Sequence, residues 1–89
     1  LEALTKGMAR EGAKHNILVN AIAPGLINTR FHKERAGRTS AEIKKRIKFS
    51  KLNRLGQPRE IATIINNLLS EDVNYMTGEV ISISGGDWI

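Results

Sequence analysis

The amino-acid sequence predicts an α/β fold with a parallel pair of strands. Two short apolar runs, residues 17–23 and 79–84, have the length and the β-branched content of strands. Apolar residues recur at helical spacing in residues 1–14 and 58–69. A strand–helix–strand unit of this size implies a parallel pair joined by a crossover, and such crossovers are right-handed in nearly all sheets. We therefore expect one domain, residues 1–89, with the order helix, strand, basic loop with a short helix, helix, strand.

The first helix is predicted over residues 1–14. Leu1, Leu4 and Met8 recur at helical spacing, and no Ser, Thr, Asp or Asn precedes them as a cap. The first residue is not Met. We expect the chain to be the end of a larger protein, cut inside this helix, with a trimmed small domain as the alternative.

The run from Ile17 to Ala23 predicts a strand that is buried on both faces, because it is short and almost continuously apolar. Pro24 and Gly25 end this strand, since proline donates no hydrogen bond to a strand ladder and glycine permits a sharp turn or the close approach of a ligand. The chain offers only one further strand as a neighbour. Missing upstream sequence or another chain is expected to cover the other edge.

A capping-box pattern marks the start of a short helix in the middle of the chain. Thr39 is the expected cap, and the Glu42 side chain is expected to reach back to it. Ile43 and Ile47 form the apolar face of this helix. Both lie within a strongly basic part of the chain.

The last helix and the second strand are predicted near the end of the chain. Pro58 suits the first turn of a helix, Glu60 lies near its positive end, and an apolar stripe continues to about Leu69. Residues 79–84 alternate in part between apolar and polar, which predicts a strand. Gly85-Gly86 stops this strand.

The positive charge is concentrated in residues 30–54. This segment holds ten Lys or Arg residues against two Glu, a net of +8, whereas the whole chain carries +5. Such a segment attracts anionic substrates, phosphates, nucleic acid or acidic lipid, or it is a solvated surface. Aromatic residues make up only 4% of the chain, so stacking platforms for nucleic acid are scarce. Nucleic acid and membrane are therefore disfavoured as partners, although a basic binding module and a purely structural fragment stay open as alternatives.

Several classes of protein and site are excluded by composition. The chain has no Cys, which excludes disulfides, thiolate metal sites and a cysteine nucleophile. His15 and His32 lack an Asp, Glu or Cys partner at ligand spacing, so we predict surface histidines and no metal site. Neither a membrane-spanning apolar run nor the layout of a signal peptide is present. We expect a cytoplasmic protein.

Three blocks of the sequence resemble the C-terminal part of the short-chain dehydrogenase/reductase family. They comprise residues 9–29, with Asn-Ala-Ile-Ala-Pro-Gly, residues 54–62, with Arg-Leu-Gly-Gln-Pro, and residues 75–86, with Thr-Gly-Glu. The blocks keep the order and spacing of the family, and they resemble its 3-oxoacyl-carrier-protein reductase-like members in particular. The resemblance implies the C-terminal part of a Rossmann-like, doubly wound parallel sheet.

The resemblance also implies an activity for the parent protein. Members of the family are NAD(P)-dependent oxidoreductases that transfer hydride between nicotinamide and a carbonyl or alcohol substrate, with a Tyr assisted by a Lys as the acid/base. By the family's spacing both residues would lie before Leu1, so this chain is expected to hold no catalytic residue and to be inactive alone. Tyr75 does not replace the Tyr, because no Lys follows it at the required spacing.

The resemblance assigns the nicotinamide end of an NAD or NADP site to four residues. Pro24 and Gly25 match the turn after the sixth strand of the family. Ile27 would pair its backbone with the nicotinamide carboxamide, and Thr29 would bond the carboxamide or the diphosphate through its hydroxyl. Asn20 is expected to have a structural role, bonding neighbouring backbone.

Residues 30–54 fall where the family has its substrate lid. Their charge suggests an anionic substrate or one presented by an acidic carrier. Phe31 and Phe49 are expected either to line an apolar pocket or to tether the lid. The resemblance also implies a homo-oligomer, and the C-terminal tail in this family often packs at a subunit interface. Trp88-Ile89 is therefore expected at a subunit contact, with a frayed terminus as the alternative.

Overall fold

The computed structural model describes residues 1–30, 37–87 and 89. In this part of the chain it contains three helices and two strands. They are α1 (Glu2–Ala13), β1 (Ala21–Pro24), α2 (Ser40–Ile47), α3 (Pro58–Leu68) and β2 (Val80–Ile83). The predicted order of elements is confirmed.

The two strands form a parallel pair. Ala21 lies opposite Val80, and Pro24 lies opposite Ile83. The connection between the strands contains α2 and α3. The α/β class is therefore confirmed, and the carboxyl ends of both strands meet at one edge of the sheet.

The first strand is shorter and less buried than the sequence predicts. Residues 17–20 lie before β1 rather than in it, and Ala21 to Ala23 are only half-buried. The prediction of a strand buried on both faces is wrong for this chain. Its only strand neighbour among the described residues is β2, and no described helix packs extensively on either face of the pair.

Most ends of the other elements differ from the predicted positions by one residue. The second strand runs over 80–83 instead of 79–84, α1 over 2–13 instead of 1–14, and α3 ends at residue 68 instead of 69. These differences lie at ends, where hydrogen-bonded pairing is lost first.

The capping box of α2 is half formed. The Thr39 hydroxyl accepts a hydrogen bond from the Glu42 N–H at 3.2 Å, as predicted. Within the described part of the chain, the Glu42 side chain does not return a bond to Thr39. Ile43 is buried and Ile47 half-buried, so the predicted apolar face of this helix is confirmed.

The interior formed by the described residues is small. Thr5, Ala9 and Ile43 are buried, whereas many large apolar side chains are exposed: Leu1, Leu4, Met8, Ile17, Leu18, Phe49, Leu52, Ile65, Leu69 and Ile89. The radius of gyration is 15.6 Å, compared with about 12 Å for a compact domain of this length. The helices and strands therefore bury only part of the apolar surface that their side chains form.

Among the described residues, no helix has both the length and the apolar character needed to cross a lipid bilayer.

Candidate functional site

Three loops meet at the edge of the sheet where both strands end. They are residues 25–30 after β1, residues 48–57 between α2 and α3, and residues 84–87 after β2. Backbone hydrogen bonds join them to one another and to the strands. Ligands of open parallel sheets bind in the crevice outside the carboxyl ends of the strands. The predicted site residues therefore lie at or beside the edge of the sheet where a ligand is expected.

Gly25 packs closely against the turn after β2. Its N–H donates to the Ile83 carbonyl oxygen at 2.9 Å. A Cβ at this position would lie 2.8 Å from the Ser84 Cα and 3.2 Å from the Asp87 Oδ2. This backbone contact by itself requires glycine here. The preceding Pro24 is the last residue of β1 and is exposed.

Gly56 connects the loop after β1 to the loop before α3. Its N–H donates to the Leu26 carbonyl oxygen at 3.0 Å, and its own carbonyl oxygen accepts from the Asn28 N–H at 2.8 Å. These bonds form a parallel bridge between Gly56 and Ile27. The bonds are made by Leu26 and Asn28, the two neighbours of Ile27. In such a bridge the N–H of the residue between them points to the opposite side, so the Ile27 N–H is directed away from Gly56. No described residue accepts a hydrogen bond from that N–H.

Thr29 follows two residues later, beside a cavity of about 470 Å³. The Thr29 side chain is exposed, and its hydroxyl has no hydrogen-bond partner among the described residues. Its N–H donates to the Ile27 carbonyl oxygen at 2.8 Å, which makes the loop turn tightly. The cavity is lined by Asn28, Thr29, Arg30, Ser40, Ile43, Lys44 and Leu55. A cavity of this size is in the range of small-molecule sites, and its lining combines two apolar residues with five polar or charged ones.

The turn after β2 is hydrogen-bonded to the loop that follows α2. The Ser50 hydroxyl and the Leu52 N–H both donate to the Gly85 carbonyl oxygen, at 3.0 and 3.1 Å. Gly85 has a φ of +65°, which an L residue adopts only with strain. A Cβ there would lie 2.5 Å from the Ser50 hydroxyl oxygen. The C-terminal part of the predicted lid is thus bonded to the sheet.

An ion pair joins the loop before α3 to the first turn of that helix. The Arg54 Nη1 and Nη2 donate to the two carboxylate oxygens of Glu60 at 2.8 and 3.0 Å. The Gln57 N–H donates to the Glu60 Oε1 at 2.9 Å. The hydrogen bond from Arg54 and then the one from Gln57 lower the pKa of Glu60 to about 2. The same pairing raises the pKa of Arg54.

Sequence reasoning missed this pair and the bridge at Gly56. The sequence did contain a signal for Glu60, one of the two partners of the ion pair. Pro58 at the first helical position and Glu60 two residues later are typical of a helix start. Nothing in the spacing identified Arg54 as the partner. The bridge between Gly56 and Ile27 depends on two loops that meet only in the folded chain.

Asn20 bonds neighbouring backbone, as predicted. Its side-chain amide donates to the Met76 carbonyl oxygen at 3.0 Å, and its Oδ1 accepts from the Glu79 N–H at 3.1 Å. The Val19 N–H also donates to the Thr77 hydroxyl at 3.0 Å. These contacts fix the loop before β2 against the chain entering β1.

Part of the predicted lid lies outside the described residues, namely positions 31–36 with Phe31 and His32. Trp88 lies outside them too, so the predictions made for these residues stay predictions. Phe49 is 65% exposed and does not line the cavity beside Thr29, and Ile89 is also exposed. His15 is exposed, as predicted. Within the described ranges, no three potential metal-ligating side chains cluster together.

The chain matches a family model over nearly its whole length. That model, described as Enoyl-(Acyl carrier protein) reductase, matches residues 1–87. One relative is Dehydrogenase/reductase SDR family member 4 of Oryctolagus cuniculus, 44% identical over 86 residues, which are 97% of this chain and 33% of the relative. Another is the 3-oxoacyl-[acyl-carrier-protein] reductase FabG of Aquifex aeolicus, 44% identical over 87 residues, 97% of this chain and 34% of the relative. The chain spans about a third of the length of these relatives.

Solved structures agree with this match. A short chain dehydrogenase family protein from Francisella tularensis superposes with a TM-score of 0.81 at 34% identity, over 97% of this chain and 39% of that one. A short chain dehydrogenase from Bacillus anthracis superposes with a TM-score of 0.79 at 39% identity, over 99% of this chain and 33% of that one. Both the fold and the sequence of this chain are therefore similar to those of known enzymes.

Proposed function

The chain belongs to the short-chain dehydrogenase/reductase family, and we propose that it supplies the nicotinamide side of the dinucleotide site of an NAD(P)-dependent oxidoreductase. The observation that carries this proposal is the loop after β1. It offers the Ile27 N–H and the Thr29 hydroxyl, neither bonded to a described residue, at the carboxyl edge of the sheet. Pro24 and Gly25 set the turn from which this loop leaves the strand.

The donors and acceptors of this loop fit a nicotinamide group. The carboxamide of nicotinamide has an acceptor oxygen and an NH₂ donor. A backbone N–H supplies a donor, and a hydroxyl both donates and accepts. Ile27 and Thr29 would hold the ring end of the cofactor in this way. When bound, NAD or NADP supplies the hydride chemistry, whereas these residues bind and orient it.

The reaction proposed for the parent protein is hydride transfer between nicotinamide and a carbonyl or alcohol carbon. The proposal places the family's acid/base Tyr and its Lys before Leu1, so the chain is the C-terminal part of that protein and is inactive by itself. The order and spacing of residues 9–29, 54–62 and 75–86 support this placement. The small interior of the chain agrees with a need for further segments to complete the fold.

The substrate proposed for the parent protein is a small carbonyl or alcohol compound that is anionic or bound to an acidic carrier. Arg30 and Lys44 both line the cavity beside Thr29, and both are exposed. Two cations at the entrance of a site attract anionic ligands. The family model and the Aquifex aeolicus relative both carry names of enzymes that act on carrier-bound acyl groups.

The test is titration of NADH and of NADPH into the protein that carries this chain, followed by nicotinamide fluorescence. Thr29→Val keeps the shape of the side chain but removes its hydroxyl, so we expect nucleotide binding weakened about three- to tenfold. Thr63→Val is the matched control, because among the described residues the Thr63 hydroxyl bonds only the Arg59 carbonyl oxygen within α3. Absence of binding for both nucleotides, or equal affinity of wild type and Thr29→Val, would contradict the proposal.

A further inference from the structure

We propose that Arg54 and Glu60 form a clamp that positions the loop after β1 for the nicotinamide group. The role toward nicotinamide rests on the proposed function, whereas the fixing of the loop rests on contacts between described residues. Neither side chain lines the cavity beside Thr29. Both line a smaller cavity of about 120 Å³ together with Ile27 and Gly56, and we assign them as positioning residues that act through the backbone of the loop between them.

The clamp closes a short loop onto a helix. Glu60 is in the first turn of α3, and both of its carboxylate oxygens accept from the Arg54 guanidinium. Arg54 Nη1 also donates to the Leu55 carbonyl oxygen at 3.0 Å. Glu60 in turn accepts from the Gln57 N–H. Residues 55–57 are thus fixed at both ends, because the planar guanidinium and the carboxylate meet at two points.

Gly56 carries the effect of the clamp to the candidate site. It lies in the middle of this fixed loop and forms two backbone hydrogen bonds, to Leu26 and from Asn28. These two bonds bracket Ile27 and direct its N–H away from Gly56. The Ile27 side chain also lies close over Gly56, since a Cβ on Gly56 would be 2.7 Å from the Ile27 Cδ1. A shift of Gly56 would therefore move the N–H that we assign to the nicotinamide carboxamide.

The other ion pairs of the described residues lack this arrangement. Lys6 and Glu2 are 3.5 Å apart, and Lys14 and Glu11 are 3.3 Å apart, both within α1. Their side chains are 59–75% exposed, compared with 51% and 40% for Arg54 and Glu60. Ion pairs exposed to this extent contribute little to stability. Breaking the clamp is therefore expected to change the geometry of the loop and to cost only a small part of the stability of the fold.

The test measures amide hydrogen exchange and nucleotide affinity in the protein that carries this chain. In Arg54→Ala we expect exchange at the Asn28 and Gly56 amides to be about three- to fivefold faster, and NADH or NADPH to bind about three- to fivefold more weakly. Arg54→Lys keeps the charge but loses the two-point contact, so intermediate values are expected. Lys14→Ala, which breaks an exposed ion pair on α1, should change neither quantity.

The two readouts separate this inference from the proposed function. Unchanged exchange at Asn28 and Gly56 in Arg54→Ala overturns the clamp, whatever the affinity. Faster exchange with unchanged nucleotide affinity overturns its role in positioning the loop for nicotinamide. If the wild type binds neither nucleotide, the proposed function fails, and the exchange rates alone decide whether the clamp fixes the loop. A melting temperature that falls equally in Arg54→Ala and Lys14→Ala, with equal affinities, also contradicts the inference.

Discussion

Asn20 shows how much one side chain can contribute to this small sheet. Both of its polar atoms bond backbone atoms of the loop before β2, 56 and 59 residues away in the chain. Asn20 directly precedes β1, and Glu79 directly precedes β2. The side chain therefore sets the level at which the two strands begin to pair, and with it the register that places Pro24 opposite Ile83.

Replacing Asn20 by Ala should lower the free energy of unfolding of the protein that carries this chain by about 1–2 kcal/mol, because two hydrogen bonds are lost and a half-buried carbonyl loses its donor. Urea unfolding followed by circular dichroism measures this change. Asn74→Ala is the matched control, since Asn74 is exposed and, within the described ranges, its side chain donates only to the nearby Glu71 carbonyl oxygen at 3.3 Å. Equal losses in the two variants would contradict the role assigned to Asn20.

At the scale of the element, the start of α3 links helix formation to the candidate site. Pro58 occupies the first helical position. A backbone N–H there would have no partner within the helix, so a proline at this position costs no hydrogen bond. Glu60 accepts from the Gln57 N–H and so satisfies a donor at the helix start. The carboxylate also lies at the positive end of the helix. The residues that begin α3 are thus the same ones that hold Gly56 against the loop after β1.

The acid dependence of stability should reflect Glu60. Its pKa is about 2 in the folded chain and 4.5 for the ordinary carboxyl. A lowered pKa in the folded state stabilises the fold above the unfolded value, and this contribution is lost as pH falls through the folded value. In Glu60→Gln we therefore expect a stability deficit that is full above pH 4.5 and shrinks as the pH falls toward 2. Urea unfolding of wild type and variant across this range measures it.

The control for this pH experiment is Glu11→Gln, which removes the carboxylate of an exposed ion pair on α1. A deficit in Glu60→Gln that stays constant between pH 4.5 and 2 would contradict the assignment. So would an equal pH-dependent deficit in Glu11→Gln, because the effect would then belong to surface charge in general.

At the scale of the whole molecule, the apolar faces of the helices are the main feature. Leu4 and Met8 on α1 are 62% and 52% exposed, and Leu69 at the end of α3 is 79% exposed. Contiguous apolar surface on a protein is usually covered by another segment or another molecule. We keep homo-oligomer formation through such faces as a proposal for the parent protein.

The 89-residue chain by itself is expected to self-associate at micromolar concentration, because its apolar faces would otherwise remain in water. Sedimentation velocity measures the distribution of species. Replacing both Leu4 and Met8 by Lys should shift this distribution toward the monomer, whereas Arg10→Gln on the same helix should not. A monomeric profile of the unchanged chain would contradict the expectation.

Local sequence patterns determined the elements of this protein. Helical spacing, the Thr39 cap and Pro58 act within a few residues, so the helices began and ended close to their predicted positions. Asn20 was expected to bond neighbouring backbone, and its side chain does so. The three blocks that resemble the short-chain dehydrogenase/reductase family also sufficed to identify the family, which the matching family model and solved structures then showed.

The tertiary structure alone decided how the elements meet. β1 begins at Ala21, not Ile17, because pairing depends on where β2 lies, and no local pattern gives that position. Glycine at position 25 is required by the approach of the Ser84 backbone, which is distant in sequence. The bridge of Gly56 to Ile27 and the pairing of Arg54 with Glu60 likewise join residues whose separation carries no periodic signal. Contacts of this kind form only after the chain has brought its loops to one edge of the sheet.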